Sequence, residues 1–443
     1  MKKKHALVLG LGVSGRAAAE FLLVQGYQVT CVEKNQELLA TSPEVKRLIQ
    51  MGLKIAPEGI DLASFDLLIP SPGISPTHPI YQEAVRKKVE VVGEAELAFR
   101  HMKQKAIAIT GTNGKTTVTL LVEHALKKSG LKARSLGNIG EPLSTYFINS
   151  DQNEIVVAEI SSYQLETMKA KVFDAAILLN ITPDHLDRYA SMEEYAKAKC
   201  HLQACLKPGA PFFVYEQALA DFGAHLSPEN LFSYGVHSTS DFWTDKAKVY
   251  ASEKVEYLLP VEYRDRGSHE SENALAAWLL VREFGVTSEQ FLEALKSFKK
   301  PPHRIEFVTS VNEVAYVDDS KGTNLDAVLQ AVNAVEGEVV LIAGGVDKGA
   351  SYTLWIQPFQ GRVKKILALG QAAKKIQEEL GKVFEVELVS SMEEAVTRAD
   401  QVAKKGDTVL LSPGCSSFDM FRDYAHRGDE FKRCVYQLEE KRG

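Results

Sequence analysis

Short apolar, β-branched runs alternate along the chain with longer stretches of helical composition. His5–Leu9, Tyr27–Val32, Phe65–Ile69 and Val89–Val92 read as strands, with Arg16–Val24 and Ile80–Lys88 as helices between them. After a break at Gly93 the pattern restarts: strand Ala106–Thr110, helix Thr116–Lys128, strands Ile155–Ala158 and Ala175–Leu179, and a helix over Met192–Leu206. Phe232–Leu259 is richer in turn residues and alternating positions, which predicts a β excursion. Asn273–Phe284 and Ser288–Phe298 read as helices, and Lys299-Lys300-Pro301-Pro302 as a linker. Beyond it, strands at Val314–Val317, Val339–Ala343, Ile366–Leu369 and Thr408–Leu411 are again separated by helical stretches. Strands that alternate with helices imply mostly parallel sheets covered on both faces. The expected fold is therefore α/β in three domains, 1–93, 94–298 and 299–443. The outer two are Rossmann-like and the central one resembles a P-loop ATPase.

Composition narrows the class. The 443 residues match three domains at about 150 residues each. With 45% apolar and 25% charged residues, the chain is neither disordered nor collagen-like nor a disulfide scaffold. Acidic side chains number 58 against 52 basic ones, a formal charge of −6. Bulk electrostatics thus give no reason to expect nucleic acid, and any anionic ligand must be held by a few placed groups. The five cysteines (Cys31, Cys200, Cys205, Cys415, Cys434) are odd in number and form no CxxC pair, as in a reducing compartment. No apolar run reaches the roughly 18 residues of a membrane helix. Lys2–Lys4, Ala6–Val13 and Ala17–Ala19 mimic a secretion leader, but Gly10, Gly12 and Gly15 interrupt the apolar part. A cytoplasmic protein without membrane or nucleic-acid partners is expected.

Two glycine loops carry the chemistry. Strand Ile107–Thr110 feeds into Gly111, Thr112, Asn113, Gly114, Lys115, Thr116 and Thr117 and then a helix. Glycines let backbone N–H groups converge on phosphate oxygens, where the helix N-terminus adds positive charge. Lys115 supplies a point charge for the β/γ-phosphates, and the Thr116 hydroxyl suits Mg²⁺. The spacing is GxxGKT, two residues shorter than the strict phosphate-loop pattern, so strand–loop–helix context decides the reading; a plain turn opening a helix is the alternative. Glu159 ends the run Ile155–Ala158 and brings a carboxylate to the sheet's C-terminal edge, as a magnesium ligand or a solvated strand end. Asp184-His185-Leu186-Asp187-Arg188 reads as a site cluster or as a helix cap with a surface ion pair. Lys199, taken alone, reads as a solvated helix face. The other loop, Gly10-Leu11-Gly12-Val13-Ser14-Gly15, with Glu33 at the end of the next strand, satisfies a dinucleotide fingerprint and by itself suggests NAD. Two nucleotide loops on separate domains suit a ligase acting on a nucleotide-linked substrate better than hydride transfer.

The ordered series Gly111–Thr117 (GTNGKTT), Gly137–Gly140 (GNIG), Glu159–Ser162 (EISS), Asn180–Arg188 (NITPDHLDR), Pro302–Arg304 (PHR) and Asp319–Asn324 (DSKGTN) resembles the Mur ligases, the ATP-dependent amide-forming enzymes of peptidoglycan precursor synthesis. With the N-terminal loop it covers nearly the whole chain. Ser71-Pro72-Gly73-Ile74, Gly344–Gly349 (GGVDKG) and Leu411–Phe421 (LSPGCSSFDMF) are similar to the branch that adds D-glutamate to UDP-N-acetylmuramoyl-L-alanine. The resemblance implies ATP and Mg²⁺ as cofactors, an acyl-phosphate intermediate and a monomer. It also overrides NAD: the first domain, with Ser14, Gly15, Glu33, Lys34, Ser71, Pro72 and Gly73, binds the UDP end. By the same resemblance Asn138 contacts the UDP-sugar, and Lys115 and Thr116 hold ATP phosphates and Mg²⁺. Glu159, His185 and a carbamylated Lys199 hold a second Mg²⁺. Asn273, Arg304, Asp319 and Lys321 belong to nucleotide binding, and Thr323, Lys348, Ser417 and Tyr424 to the D-glutamate pocket. His303 orients the acyl phosphate or moves a proton, a linker-capping histidine being the alternative from sequence alone. The chain departs from the family at Glu270, where an Asn is usual, and at Glu33-Lys34-Asn35, where relatives often carry Asp-Thr-Arg.

Overall fold

The computed structural model describes residues 4–260 and 268–442. Lys2 and Lys3, part of the leader-like basic run, lie outside them. Contacts divide the chain into two compact units. One runs up to Asn180 and includes Glu193–Phe298; the other joins Ile181–Met192 to the chain from Lys299 onward.

The first unit holds two sheets. Strands β1 (His5–Leu9), β2 (Gln28–Val32), β3 (Lys54–Ile55), β4 (Leu67–Pro70) and β5 (Glu90–Val91) form a parallel sheet in the order β3-β2-β1-β4-β5. Chain direction switches sides at β1, which places the Gly10–Gly15 loop in the crevice where such sheets bind ligands. The second sheet contains β6 (Ala106–Thr110), β7 (Ala133–Gly137), β8 (Ile155–Glu159), β9 (Ala175–Leu178), β10 (Phe212–Tyr215), β11 (Leu231–Gly235), β12 (Phe242–Thr244), β13 (Lys248–Ala251) and β14 (Lys254–Leu258). Their order is β14-β13-β12-β11-β10-β9-β6-β8-β7, parallel from β7 to β12 and antiparallel at the last two pairings. Ile109 lies opposite both Glu159 and Ile177, so β6, β8 and β9 finish on one edge. The helix Lys115–Lys128 buries Val118, Leu121, Val122, Ala125 and Leu126 against this sheet, sharing the core with the helix Ser268–Arg282.

Local differences from the sequence reading have local causes. The helix expected from Asn273 begins at Ser268, because its first turn is polar and carries no apolar period; Asn273 therefore sits inside it. The helix from Met192 ends at Cys200, and the rest of the expected span, His201–Cys205, tightens to 3₁₀ geometry ahead of Pro208. β7 and β10 escape a period-based reading. β7 is an edge strand with an exposed Arg134, and β10 is a four-residue apolar run behind Pro208-Gly209-Ala210-Pro211.

The second unit has one sheet: β15 (Glu306–Val311), β16 (Val314–Asp318), β17 (Val339–Gly344), β18 (Val363–Leu369), β19 (Glu385–Leu388) and β20 (Thr408–Leu411). The order is β15-β16-β20-β17-β18-β19, all parallel except the β15–β16 hairpin. Asn312 and Glu313, both in left-handed backbone, make the two-residue turn that matches strand twist. Asp318, Leu411 and Ile342 are in register, so the loops after β16, β17 and β20 leave from one edge. Apolar residues fill both faces.

Candidate active site

At the edge of the second sheet the phosphate loop is braced from three sides. Asn180, just past β9, accepts from Thr112 N (3.1 Å) and Asn113 N (2.7 Å) through its side-chain oxygen, and from Thr112 N (2.9 Å) through its carbonyl. Gly111 and Gly114 have φ of +151° and +83°, and a Cβ at Gly114 would lie 2.8 Å from Asn273 Oδ1. Asn273 thus reaches the loop from its position inside the helix. The ammonium of Lys115 donates to the carbonyls of Gly111 (2.9 Å) and Thr112 (2.8 Å). Thr116 and Thr117 occupy the first helical turn, half-buried and buried.

Lys199 is not a solvated lysine. It is 2% exposed, donates to Gly111 O at 2.7 Å, and lies 4.6 Å over the ring of Tyr195, whose hydroxyl is 3.2 Å from Thr112 Oγ1. Glu159 is likewise not a solvated strand end: it is 1% exposed. Its Oε1 accepts from Asn138 Nδ2 (2.9 Å), and its backbone carbonyl accepts from Asn138 N (2.8 Å). Among the described residues Glu159 Oε2 is buried with no hydrogen-bond partner. A buried carboxylate oxygen without a donor is costly unless a cation or proton completes it.

The first glycine loop is built differently. Gly10 has φ +85°, and a Cβ on Gly15 would lie 2.0 Å from Gly10 O, so the helix Val13–Val24 approaches β1 as only glycine allows. Ser71 Oγ donates to Gly10 O (2.9 Å), which ties the Ser71-Pro72-Gly73 turn to the loop. Glu33 accepts from Leu11 N (2.6 Å) and Asn35 N (2.8 Å). Ser14 is half-buried in the first helical turn, whereas Lys34 is exposed and pairs with Glu58 (2.8 Å).

In the second unit the loops at the sheet edge are stitched by one arginine. Arg427, 1% exposed, donates to Ser320 Oγ (3.0 Å), Ser320 O (2.8 Å) and Cys415 O (3.1 Å). Burial lowers its guanidinium to about 10. Ser320 Oγ donates to Tyr424 O (2.7 Å), and Lys321 Nζ stands 4.0 Å over the Tyr424 ring. Thr323 follows in the same loop, and Asn324 caps the helix Leu325–Ala334. Asp319 is buried and accepts from Ser412 Oγ (2.7 Å) and Ile305 N (3.2 Å). Desolvation pushes its carboxyl up to about 7, although Ser412 and Arg304 favour the ionised form. Lys348 Nζ bonds Asp184 Oδ1 (2.9 Å), which also accepts from the backbone of His185. Ser417 is buried, with its carbonyl bonded to Phe421 N (2.9 Å). His303 is buried too, its Nδ1 2.7 Å from Asp318 Oδ2.

The Mur ligase middle domain matches residues 109–281, the Mur ligase glutamate ligase domain 303–415, and the MurD-like N-terminal domain of Mur ligases 4–93. The chain is 49% identical to UDP-N-acetylmuramoylalanine–D-glutamate ligase of Protochlamydia amoebophila, over 98% of each chain. This chain belongs to the Mur ligase family. The enzyme of the same name from Thermoanaerobacter sp. is 36% identical over 99% of both chains. Among solved structures, MurC of Thermotoga maritima shares the fold, with TM-score 0.59, 19% identity and 99% of each chain covered. The α/β reading in three parts is that of the Mur ligase fold.

Three residues of this Mur ligase were invisible as site residues in the sequence. Asn180 stands in the Asn180–Arg188 motif without a role of its own there, and Asp318 and Arg427 belong to none of the sequence motifs. One signal was available for Asp318. Gly428 interrupts the helix Tyr424–Arg442, where glycine costs about 1 kcal/mol relative to alanine. Such a glycine marks a close approach, here to His303 and Asp318.

Proposed function

We propose that this Mur ligase joins D-glutamate to UDP-N-acetylmuramoyl-L-alanine, using ATP and releasing ADP and phosphate. The 49% identity over nearly the whole chain to a ligase of that name carries the proposal. The two differently charged glycine loops support it, since one suits a nucleotide sugar and the other ATP. The L-alanyl carboxylate is a poor electrophile. Transfer of the γ-phosphoryl group to it gives an acyl phosphate, and the D-glutamate amine displaces phosphate from the carbonyl carbon. Phosphoryl transfer asks mainly for positioning and charge neutralisation. Lys115 and the loop N–H groups serve the triphosphate. Asn273, Arg304, Asp319 and Lys321 serve the rest of the nucleotide. Asn138, with the first loop's Ser14, Gly15, Glu33, Lys34, Ser71, Pro72 and Gly73, serves the UDP-linked substrate. Thr323, Lys348, Ser417 and Tyr424 serve D-glutamate.

Magnesium fits the edge of the second sheet. The donor-free Glu159 Oε2 and the Thr116 hydroxyl are hard oxygen ligands, and Mg²⁺ favours one or two such groups plus phosphate oxygens. When bound it neutralises phosphate charge. His185 joins this set from its motif alone. Lys199 as an ammonium is no ligand; carbamylation converts it into a carboxylate already buried beside the loop. Localisation in the cytoplasm, in keeping with five free cysteines among the described residues, completes the reading. No helix of the described residues is long and apolar enough to cross a membrane. The test is a panel of amino acids with UDP-N-acetylmuramoyl-L-alanine, ATP and Mg²⁺, scored by phosphate release. D-glutamate is expected to dominate; equal rates across the panel overturn the substrate assignment.

A further inference from the structure

We infer that Asp318 is a positioning residue that holds His303 in one tautomer for proton transfer during amide formation. The inference rests on the reaction proposed above, and on a pair of side chains the reading of the sequence did not bring together.

The pair is buried and geometrically constrained. Asp318, at the end of β16, is 0% exposed, and His303 is 4% exposed. The Nδ1–Oδ2 distance is 2.7 Å. Asp318's other oxygen accepts from Ser320 N at 2.9 Å, so the carboxylate is fixed from both sides. His303 has φ +63°, and its backbone N–H donates to Glu306 Oε2 at 2.8 Å, so the backbone turns the ring inward. The facing helix makes room for the pair: a Cβ on Gly428 would lie 2.2 Å from His303 Nδ1 and 2.8 Å from Asp318 Oδ2. A carboxylate has no proton to give, so Nδ1 carries the hydrogen, and in the neutral ring Nε2 holds the lone pair. Nε2 lies 3.7 Å from the exposed carboxylate of Asp429, and the Tyr424 ring stands edge-on to the imidazole at 6.1 Å.

His303, Glu306 and Asp318 also have the composition of a metal site. The charge there is met differently. Lys432 Nζ lies 3.3 Å from Glu306 Oε2, 3.9 Å from Asp318 Oδ2 and 3.7 Å from Asp429 Oδ1, so an ammonium already sits where a cation would. The arrangement is that of a held base. As the D-glutamate nitrogen attacks the acyl-phosphate carbon, the C–N bond forms and the C–O bond to phosphate breaks. One proton passes from that nitrogen to Nε2, and phosphate leaves with the electron pair.

Asp318→Asn keeps the shape and removes the acceptor-only character, so Nδ1 and Nε2 are both free to carry the proton. Expected is a fall in kcat of about a hundredfold, the scale of a general-base contribution, with KM for ATP and D-glutamate within about twofold. Nitrogen-15 spectra of the imidazole should show a single Nδ1–H form in the wild-type protein and a mixture in the variant. Because the variant also alters a buried hydrogen-bonded pair, the deciding arm is a double variant: in a His303→Ala background, Asp318→Asn should cost no further activity. An equal loss in both backgrounds, an Nε2–H ring in the wild type, or an unchanged kcat overturns the inference. Failure of the reaction itself appears separately, as absence of D-glutamate-dependent ADP release by the wild type, and leaves the spectrum to be judged alone.

Discussion

The two glycine loops of the first unit share a backbone plan and differ in charge. Each follows a central parallel strand, turns on glycines in left-handed backbone and opens a helix. In the Gly10–Gly15 loop, a carboxylate of the protein, Glu33, already occupies the Leu11 N–H. In the Gly111–Thr117 loop, the corresponding N–H groups of Thr112 and Asn113 bond a neutral amide, Asn180, and the carbonyls hold two ammonium groups, Lys115 and Lys199. One charge a few ångström from a phosphate is worth about 4 kcal/mol near a protein surface. On the function proposed above, the Lys115 ammonium favours the triphosphate at the second loop, and the Glu33 carboxylate disfavours it at the first. The glycines decide that backbone comes close to a ligand; residues delivered by neighbouring elements decide which ligand.

Substitutions that alter those neighbours test the contrast. Lys115→Ala should be the most damaging, with about a thousandfold loss of kcat in D-glutamate-dependent ADP release and unchanged binding of the UDP-linked substrate by calorimetry. Weakened binding of both nucleotides would show that the loops are not specialised. Lys199→Ala is expected to lose somewhat less, about a hundredfold or more, and to regain part of it with added formate or acetate. Full activity in this variant would reduce Lys199 to a loop brace. Glu159→Gln should raise the Mg²⁺ concentration needed for half-maximal rate by about tenfold to a hundredfold, whereas an unchanged magnesium titration would remove this carboxylate from the metal's surroundings. The smallest effect is expected from Glu33→Gln: a rise of a few-fold in KM for the UDP-linked substrate, with KM for ATP unmoved. Increased affinity of the first loop for ATP in that variant would be the sharpest form of the comparison.

Legibility in the sequence followed the range of the interactions. Loop glycines, Lys115 and the strand-end Glu159 were readable because strand, turn and helix lie within about ten residues. Taken alone, Lys199 read as a solvated helix face and His303 had a linker-capping alternative, and the motif resemblance selected both before the packing was known. Their burial depends on partners distant in sequence: Gly111 for Lys199, and Asp318 with the helix at Gly428 for His303. Arg427 is the extreme case. The helix Tyr424–Arg442 is rich in charged residues, yet Arg427 is almost wholly buried and bonds backbone and hydroxyl groups of two other loops. Periodicity cannot announce a buried cation, because burial is decided by what packs against it.

By itself the sequence determined the alternation of strands and helices, the two places where backbone could approach phosphates, and the motif order that marks a Mur ligase. Those are matters of local pattern, governed by backbone geometry over a turn or two. Tertiary structure alone decided which polar groups lose water. It left Glu159 Oε2 without a donor among the described residues, buried Lys199 beside a phosphate loop, raised Asp319 to about 7 and locked His303 against Asp318. Desolvation and partner geometry arise only when distant segments meet, and they turn ordinary side chains into chemical ones.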